Sequence, residues 1–350
     1  MAVAIQGKRA LLTGATGLVG GAVARRLLGA GAHVRAMARA AANAEPLAAA
    51  GAEVTLADMT DHAALRQAVE GCAIIIHCAA VLGGEFQPWS TFRQVNVEGT
   101  RALALAALEA GVERFVHVST AWVYGFDAGP DADETSPYRP CGDPYVDTKI
   151  EGERVIRELV ATRGLPAIIV QPAEVYGPGD ANWTLQTVHA IRLGRLILLN
   201  GGRGMIQPIY VDDLAEGVMA ALQRGRVGET YILAGARAIT IGEFFGHFGR
   251  MLGRERFLSI PRGLGMAVTT LAEWVARWRG KPPPYNRTQV RGTSKRATYP
   301  EGERSKAYRE LGFLPRTSFE VGMREVEKWL AHEGLEVSAR LTPRRPAGRG

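Results

Sequence analysis

Cysteine is scarce in this chain of 350 residues: Cys72, Cys78 and Cys141 are the whole supply. Three thiols form no even-numbered framework, and no CxxC pair is present, so the pattern excludes a small disulfide-stapled scaffold and implies no metal. A reduced, intracellular setting is expected. Long apolar runs are missing too, since no uncharged apolar stretch reaches the roughly 18 residues that a membrane-spanning helix needs. The start, "MAVAIQGKRALLTG", has no basic segment followed by a long apolar one, so no secretory leader is expected and the cytoplasm is the expected compartment. Aromatic residues make up only 7%, and none interleaves with the arginines of "ARLTPRRPAGRG" at the end. The net charge of +7 therefore reads as a solvated basic surface and not as a nucleic-acid site.

What is present is ordinary for a folded enzyme-sized chain, with 47% apolar and 22% charged residues. Short apolar runs, "KRALLTG", "HVRAMAR", "AEVTLAD", "AIIIHCAA", "RFVHVST" and "PAIIVQP", read as buried parallel strands separated by amphipathic helical stretches. A further strand is expected at "TYILAG", 230–235. This alternation predicts an α/β fold, a Rossmann-type doubly wound parallel sheet with a smaller, mostly helical C-terminal substrate subdomain. The expected boundaries are 5–172 plus about 205–235 for the dinucleotide-binding domain, about 173–204 plus 236–335 for the subdomain, and a basic tail at 337–350. The pocket is expected between the two domains, at the carboxyl edge of the sheet.

The segment "TGATGLVGG" follows a predicted strand and opens a predicted helix. Gly14 is expected to make the tight turn, Gly17 to admit a pyrophosphate against the backbone, and Gly20 to let the helix approach the strand. The plain alternative is a tight strand-to-helix turn with no ligand.

The TGxxGxxG form resembles the short-chain dehydrogenase/reductase family, in its extended branch, the NAD-dependent epimerase/dehydratase superfamily. "LADMTD", "HCAA", "VNVEGT", "HVSTAWVYG", "YVDTK", "QPAEVYGPGD" and "PIYVDDLAEG" follow in that family's order, over roughly residues 5–335. The resemblance implies an NAD(P)-dependent enzyme whose cofactor contacts are Gly14, Thr16, Gly17, Leu18 and Val19 of the loop, Arg39, Asp58, Met59, Ala79, Ala80, Tyr145, Lys149 and Pro172. In NAD-preferring relatives the second strand ends on an acid. Here Ala38 and Arg39 stand at that place, so NADP(H) is the preferred cofactor, NAD(H) the second choice, with Arg39 and Arg35 offered to the 2′-phosphate.

Tyr145 and Lys149 are four apart on a predicted helix and so share a face. A nearby ammonium favours the phenolate, which lets Tyr145 exchange a proton with a hydroxyl or carbonyl oxygen. The resemblance adds Thr120 as the third catalytic residue, with Ser119 beside it. It leaves Asn96 as a stabiliser of its helix, and His77 reads as a packed core residue. Asp212 and Asp213 read as helix-start acids.

Sugar-nucleotide enzymes of the branch carry an arginine before the valine-aspartate segment, where this chain has Gln207 and Pro208, and Gln171 precedes Pro172 where an arginine is usual. "GMIQPIYVDDLA" resembles 3β-hydroxysteroid-dehydrogenase-like proteins. The function implied is hydride transfer between nicotinamide and a carbonyl or secondary alcohol of a mainly apolar molecule. A nucleotide-sugar epimerase or dehydratase with tightly held cofactor, and a non-catalytic dinucleotide-binding scaffold, remain open. Leu264, Val268, Leu271, Trp274, Val275 and Trp278 form a helical stripe that fits a core face, a pocket cover or a membrane surface. The loop 81–90 reads as a pocket wall. Expected partners are a small-molecule substrate, no nucleic acid, a peripheral membrane contact and a homodimer.

Overall fold

The computed structural model describes residues 3–82, 87–126, 128–279 and 297–334, with 290, 292 and 294. The basic tail expected at 337–350 and positions 83–86 of the expected pocket wall lie outside the described residues. The chain divides into two compact units: the described residues of Met1–Val175, Ile206–Ala238 and Arg296–Ser318 form the first, those of Tyr176–Met205, Ile239–Lys295 and Phe319–Gly350 the second.

All seven apolar runs of the first unit are strands of one sheet: β1 Arg9–Thr13, β2 His33–Ala38, β3 Glu53–Leu56, β4 Ile74–His77, β5 Arg114–Val118, β6 Ala167–Pro172 and β7 Thr230–Leu233. The order is β7-β6-β5-β4-β1-β2-β3, every neighbouring pair parallel. Alternate residues point to opposite faces. Leu12, Ile74, Ile76, Val116 and Val170 pack with α1 (Leu18–Gly29) and a second helix supplying Leu214, Val218 and Leu222. Leu11, Ile75, Phe115 and Ile169 pack on the other side with α2 (His62–Val69), α3 (Thr100–Glu109) and α4 (Pro144–Arg163). Two burying faces explain why these strands are near-continuously apolar.

Local chemistry sets the helix ends. Asp61 accepts from the N–H groups of Ala63 and Ala64 at 3.1 and 3.0 Å to cap α2, and Asp143 accepts from Val146 N at 3.0 Å to cap α4, whose first residue is Pro144. A π-helical segment, Gln94–Gly99, precedes α3 and was not foreseen from the helical pattern. The helix α5 (Val211–Arg224) starts with Asp212 and Asp213 in its first turn, where they suit the dipole. Neither caps it. Asp212 reaches Arg25 at 3.4 Å, and buried Asp213 accepts from the N–H groups of Arg316 and Thr317 at 3.1 and 2.8 Å.

In the second unit α6 (Ile241–Met251) is capped by Thr240, which accepts from Glu243 N at 3.0 Å. It packs Phe244 against Tyr176, Trp183 and Phe319, ring centroids 6.3, 5.9 and 5.7 Å apart. In α7 (Arg262–Arg279) the buried side is small, Gly265, Thr269 and Ala276, while Leu264, Val268, Leu271, Trp274 and Trp278 are exposed. That overturns a core-facing placement of the stripe.

Candidate active site

β1 and β4 are neighbours from which the sheet is wound in opposite directions, so the loops leaving their carboxyl ends diverge and open a crevice. Thr13 and His77 are register partners at that edge. Gly14 has φ +66°, and a Cβ there would stand 2.7 Å from Ala79 N; a Cβ on Gly20 would stand 2.1 Å from the Gly14 carbonyl oxygen. Only glycine admits this turn and this approach of α1. A Cβ on Gly17 would meet Gly14 O at 3.3 Å, and Gly17 itself is exposed, together with Thr16. Gly17 caps α1 without a side chain, and the first turn holds no acid. The N–H groups of that turn thus form a cradle that no side chain caps and no acid closes, as an anion would require, with Leu18 and Val19 half-buried beside it.

Around the crevice Ala79 donates its N–H to Thr13 Oγ1 at 3.2 Å, Ala80 follows it, and Pro172 pairs with Leu233 at the end of β6. β2 ends on buried Ala38, followed by exposed Arg39. Asp58 is held below the usual carboxylate range, first by the Thr60 hydroxyl, which donates to it at 2.7 Å, then by the Thr60 N–H and the Arg39 guanidinium. Met59 is buried. Arg35 is committed elsewhere: Nε donates to Glu53 at 2.9 Å and one terminal nitrogen to the carbonyls of Ala68 and Glu70, each at 2.9 Å. It is therefore not available as a helper of Arg39.

The structure brings Thr120, Tyr145 and Lys149 together. Thr120 follows β5 and accepts from Trp122 N at 3.3 Å, and the Trp122 ring meets Tyr145 edge-on at 6.4 Å. Burial pushes the Tyr145 phenol up to about 12, the neighbouring Thr120 hydroxyl works against this, and Asp143 adds to it. Lys149 is buried, and its Nζ donates to Val118 O at 2.7 Å. Desolvation brings it down to about 8, against Glu153 and the Cys78 thiol, which favour the charged form. The ammonium, hydrogen-bonded to β5, helps to lower both His77 and His117.

Two buried polar clusters were missed in the sequence. In the first, His77 Nδ1 lies 2.7 Å from Thr13 Oγ1 and Nε2 lies 2.9 Å from Thr100 Oγ1, while Thr100 donates to Asn96 O at 2.8 Å. A carbonyl only accepts, so Thr100 accepts from Nε2–H and Thr13 donates to Nδ1. Asn96 continues the chain, donating to Val81 O and Thr148 Oγ1 at 3.1 Å each and accepting from Val81 N at 2.8 Å. One network thus ties the β1 and β4 loops to the helix that carries Tyr145 and Lys149. In the second cluster fully buried Glu153, one turn after Lys149, accepts from Gln171 Nε2 at 2.9 Å and from the Tyr138 hydroxyl at 2.5 Å. Tyr124 in turn donates to Gln171 Oε1 at 2.7 Å. Gln207 is buried as well, donating to Gly235 O at 3.0 Å and accepting from Tyr299 N at 2.9 Å. The one cue in each cluster was a polar residue inside an apolar strand, His77 in the first and Gln171 in the second, and it does not name the partners.

Among the described residues no group of histidines, cysteines and acids could hold a metal ion, and no helix is long and apolar enough to cross a membrane. The family model for the NAD dependent epimerase/dehydratase family matches residues 10–234. The chain is 31% identical to a sterol demethylase protein B of Methylococcus capsulatus, over 93% of this chain and 99% of that one. It is 29% identical to a 4-hydroxy-2-methyl-3-oxo-4-farnesyl-3,4-dihydroquinoline-1-oxide ketoreductase of Stigmatella aurantiaca, over 90% and 94%. A dTDP-glucose 4,6-dehydratase of Streptomyces venezuelae, solved with NAD bound, superposes with a TM-score of 0.75 at 26% identity, covering 93% of this chain and 97% of that chain.

Proposed function

The chain belongs to the NAD-dependent epimerase/dehydratase family of extended short-chain dehydrogenases/reductases, and on that premise we propose that it is an NADP(H)-preferring oxidoreductase of a mainly apolar ketone or secondary alcohol. The observation that carries the reading is the meeting of Thr120 with Tyr145, one helical turn from Lys149 anchored on Val118 O, with the phenol held protonated by burial.

The cradle fits the cofactor. Gly14, Thr16, Gly17, Leu18 and Val19 would hold its diphosphate, Arg39 a 2′-phosphate, Asp58 and Met59 the adenine, Ala79, Ala80 and Pro172 the nicotinamide end, and Tyr145 and Lys149 its ribose. When bound, the nicotinamide supplies or takes the hydride. In the reducing direction Tyr145, protonated throughout the neutral range, gives its proton to the carbonyl oxygen, and Thr120 donates a hydrogen bond to the same oxygen as charge develops there. Lys149, anchored on Val118 O, keeps a positive charge beside this site below about pH 8.

The apolar substrate is supported by Gln207, which stands in the place of a diphosphate-gripping arginine and is consumed by internal hydrogen bonds, and by the names of the sterol and farnesyl-quinoline relatives. The reading includes a cytoplasmic setting for the three free thiols, peripheral contact with a membrane, and a homodimer. The likeness to a dTDP-glucose dehydratase supports a second reading, in which the cofactor is regenerated within each turnover. The two separate in one assay: NADPH absorbance is followed with a sterol-type ketone and, in parallel, with dTDP-glucose. Stoichiometric NADPH loss with the ketone supports the first; dTDP-glucose conversion with no net cofactor change replaces it by the second.

A further inference from the structure

α7 is built inside out. Its buried side consists of small residues, and a Cβ on Gly265 would come within 2.8 Å of Leu199 Cδ2, so the helix lies close on its own unit. Its large apolar residues point the other way: Leu264 is 53% exposed, Val268 55%, Leu271 62%, Trp274 67% and Trp278 79%. Spacings of four, three, three and four put them on one line along a helix of 18 residues, about 27 Å long. Isolated exposed apolar residues need no account, but a continuous stripe ending in two tryptophans does.

Charge decides what meets it. The helix itself carries Arg262, Arg277 and Arg279 against one acid, Glu273, a net +2. Pairing two copies through this face would bring two such helices together, like charge against like. We propose that α7 lies flat on an anionic lipid surface, with the stripe sunk among the acyl chains and the helix's own cations on the headgroups. Tryptophan at the end of the stripe suits the headgroup boundary. Resting on the apolar substrate read above, this contact would hold the enzyme where such a substrate partitions.

The test is co-sedimentation of the full chain with vesicles of phosphatidylcholine alone or mixed with phosphatidylglycerol, at low and high salt. Binding is read without turnover, so it can fail while the catalytic reading stands. The wild type is expected to sediment with the phosphatidylglycerol vesicles, less so at high salt. The double variant Trp274→Ser/Trp278→Ser is expected to lose about tenfold or more in affinity, and Leu271→Glu to do the same. Both variants should keep the melting temperature and its rise with NADPH, because the residues altered are exposed. Equal binding to both vesicle types, no binding to either, or variants that bind like the wild type would overturn the proposal. So would light scattering that finds the wild type dimeric and the double variant monomeric, which would give the stripe to a second copy.

Discussion

Lys149 Nζ is hydrogen-bonded to the carbonyl oxygen of Val118, at 2.7 Å, and one turn further along the same helix Glu153 is fully buried. The ammonium is thus fixed to β5, two residues before Thr120, in a place where solvent does not stabilise its charge. Burial lowers it to about 8, and Glu153 is first among the groups that resist the fall.

Glu153→Gln should therefore bring Lys149 further down. If the protonated lysine is the active form, kcat/KM for ketone reduction falls as pH rises through about 8 in the wild type, and this limb moves to lower pH in the variant. A merely structural role would lower the melting temperature and leave the limb where it was. The pH profile of the two proteins separates these outcomes.

Acid should unfold the first unit through its buried imidazoles. His77 is brought down to about 3 by burial and by Lys149, and His117, with no hydrogen-bond partner for either ring nitrogen among the described residues, is also lowered. The unfolded chain takes up these protons below about 6.5, whereas folded His77 does not until about 3, so stability falls as pH drops through that interval. At about pH 5 the loss from His77 is about 2 kcal/mol, and His117 adds to it in the same direction. Denaturant melts at neutral and acid pH should show this, and His117→Leu should lose less on acidification than the wild type. An equal loss in the two proteins would remove His117 from the account.

Arg39→Ala should weaken NADP selectively, by roughly ten- to a hundredfold, on the order of 1.5–3 kcal/mol for a charge-assisted contact. Arg35 cannot make up the loss, being bound to Glu53 and two carbonyls. Ala38→Asp should move preference further toward NAD by adding repulsion against the 2′-phosphate. Titrations of both cofactors at one ionic strength check this; equal losses for NAD and NADP would make Arg39 an ordinary surface residue.

The sheet was legible because every strand except edge strand β3 is buried on both faces and so writes itself as an apolar run; the glycine loop was legible because Gly14 and Gly20 have no substitute at their contacts. Tyr145 and Lys149 could be placed on one helix face from spacing alone. What spacing cannot give is the direction of a long side chain. Lys149 turns to Val118, and Arg35 turns to Glu53. Nor does a helical stripe say which side is buried, and α7 buries its small residues. The His77 and Glu153 clusters escaped because their partners lie far apart in sequence, and Thr13, Thr100, Gln171 and Tyr138 carry no local sign of pairing.

The central claim is that Tyr145 is the proton donor, and Tyr145→Phe tests it most directly, since the ring that meets Trp122 is kept and only the hydroxyl goes. NADPH binding is measured by titration and NADPH oxidation with a sterol-type ketone that the wild type reduces, under conditions where chemistry limits the rate. The account predicts binding within about threefold of the wild type and a loss of turnover of about a hundredfold or more. Turnover within about tenfold of the wild type, with binding intact, would contradict it.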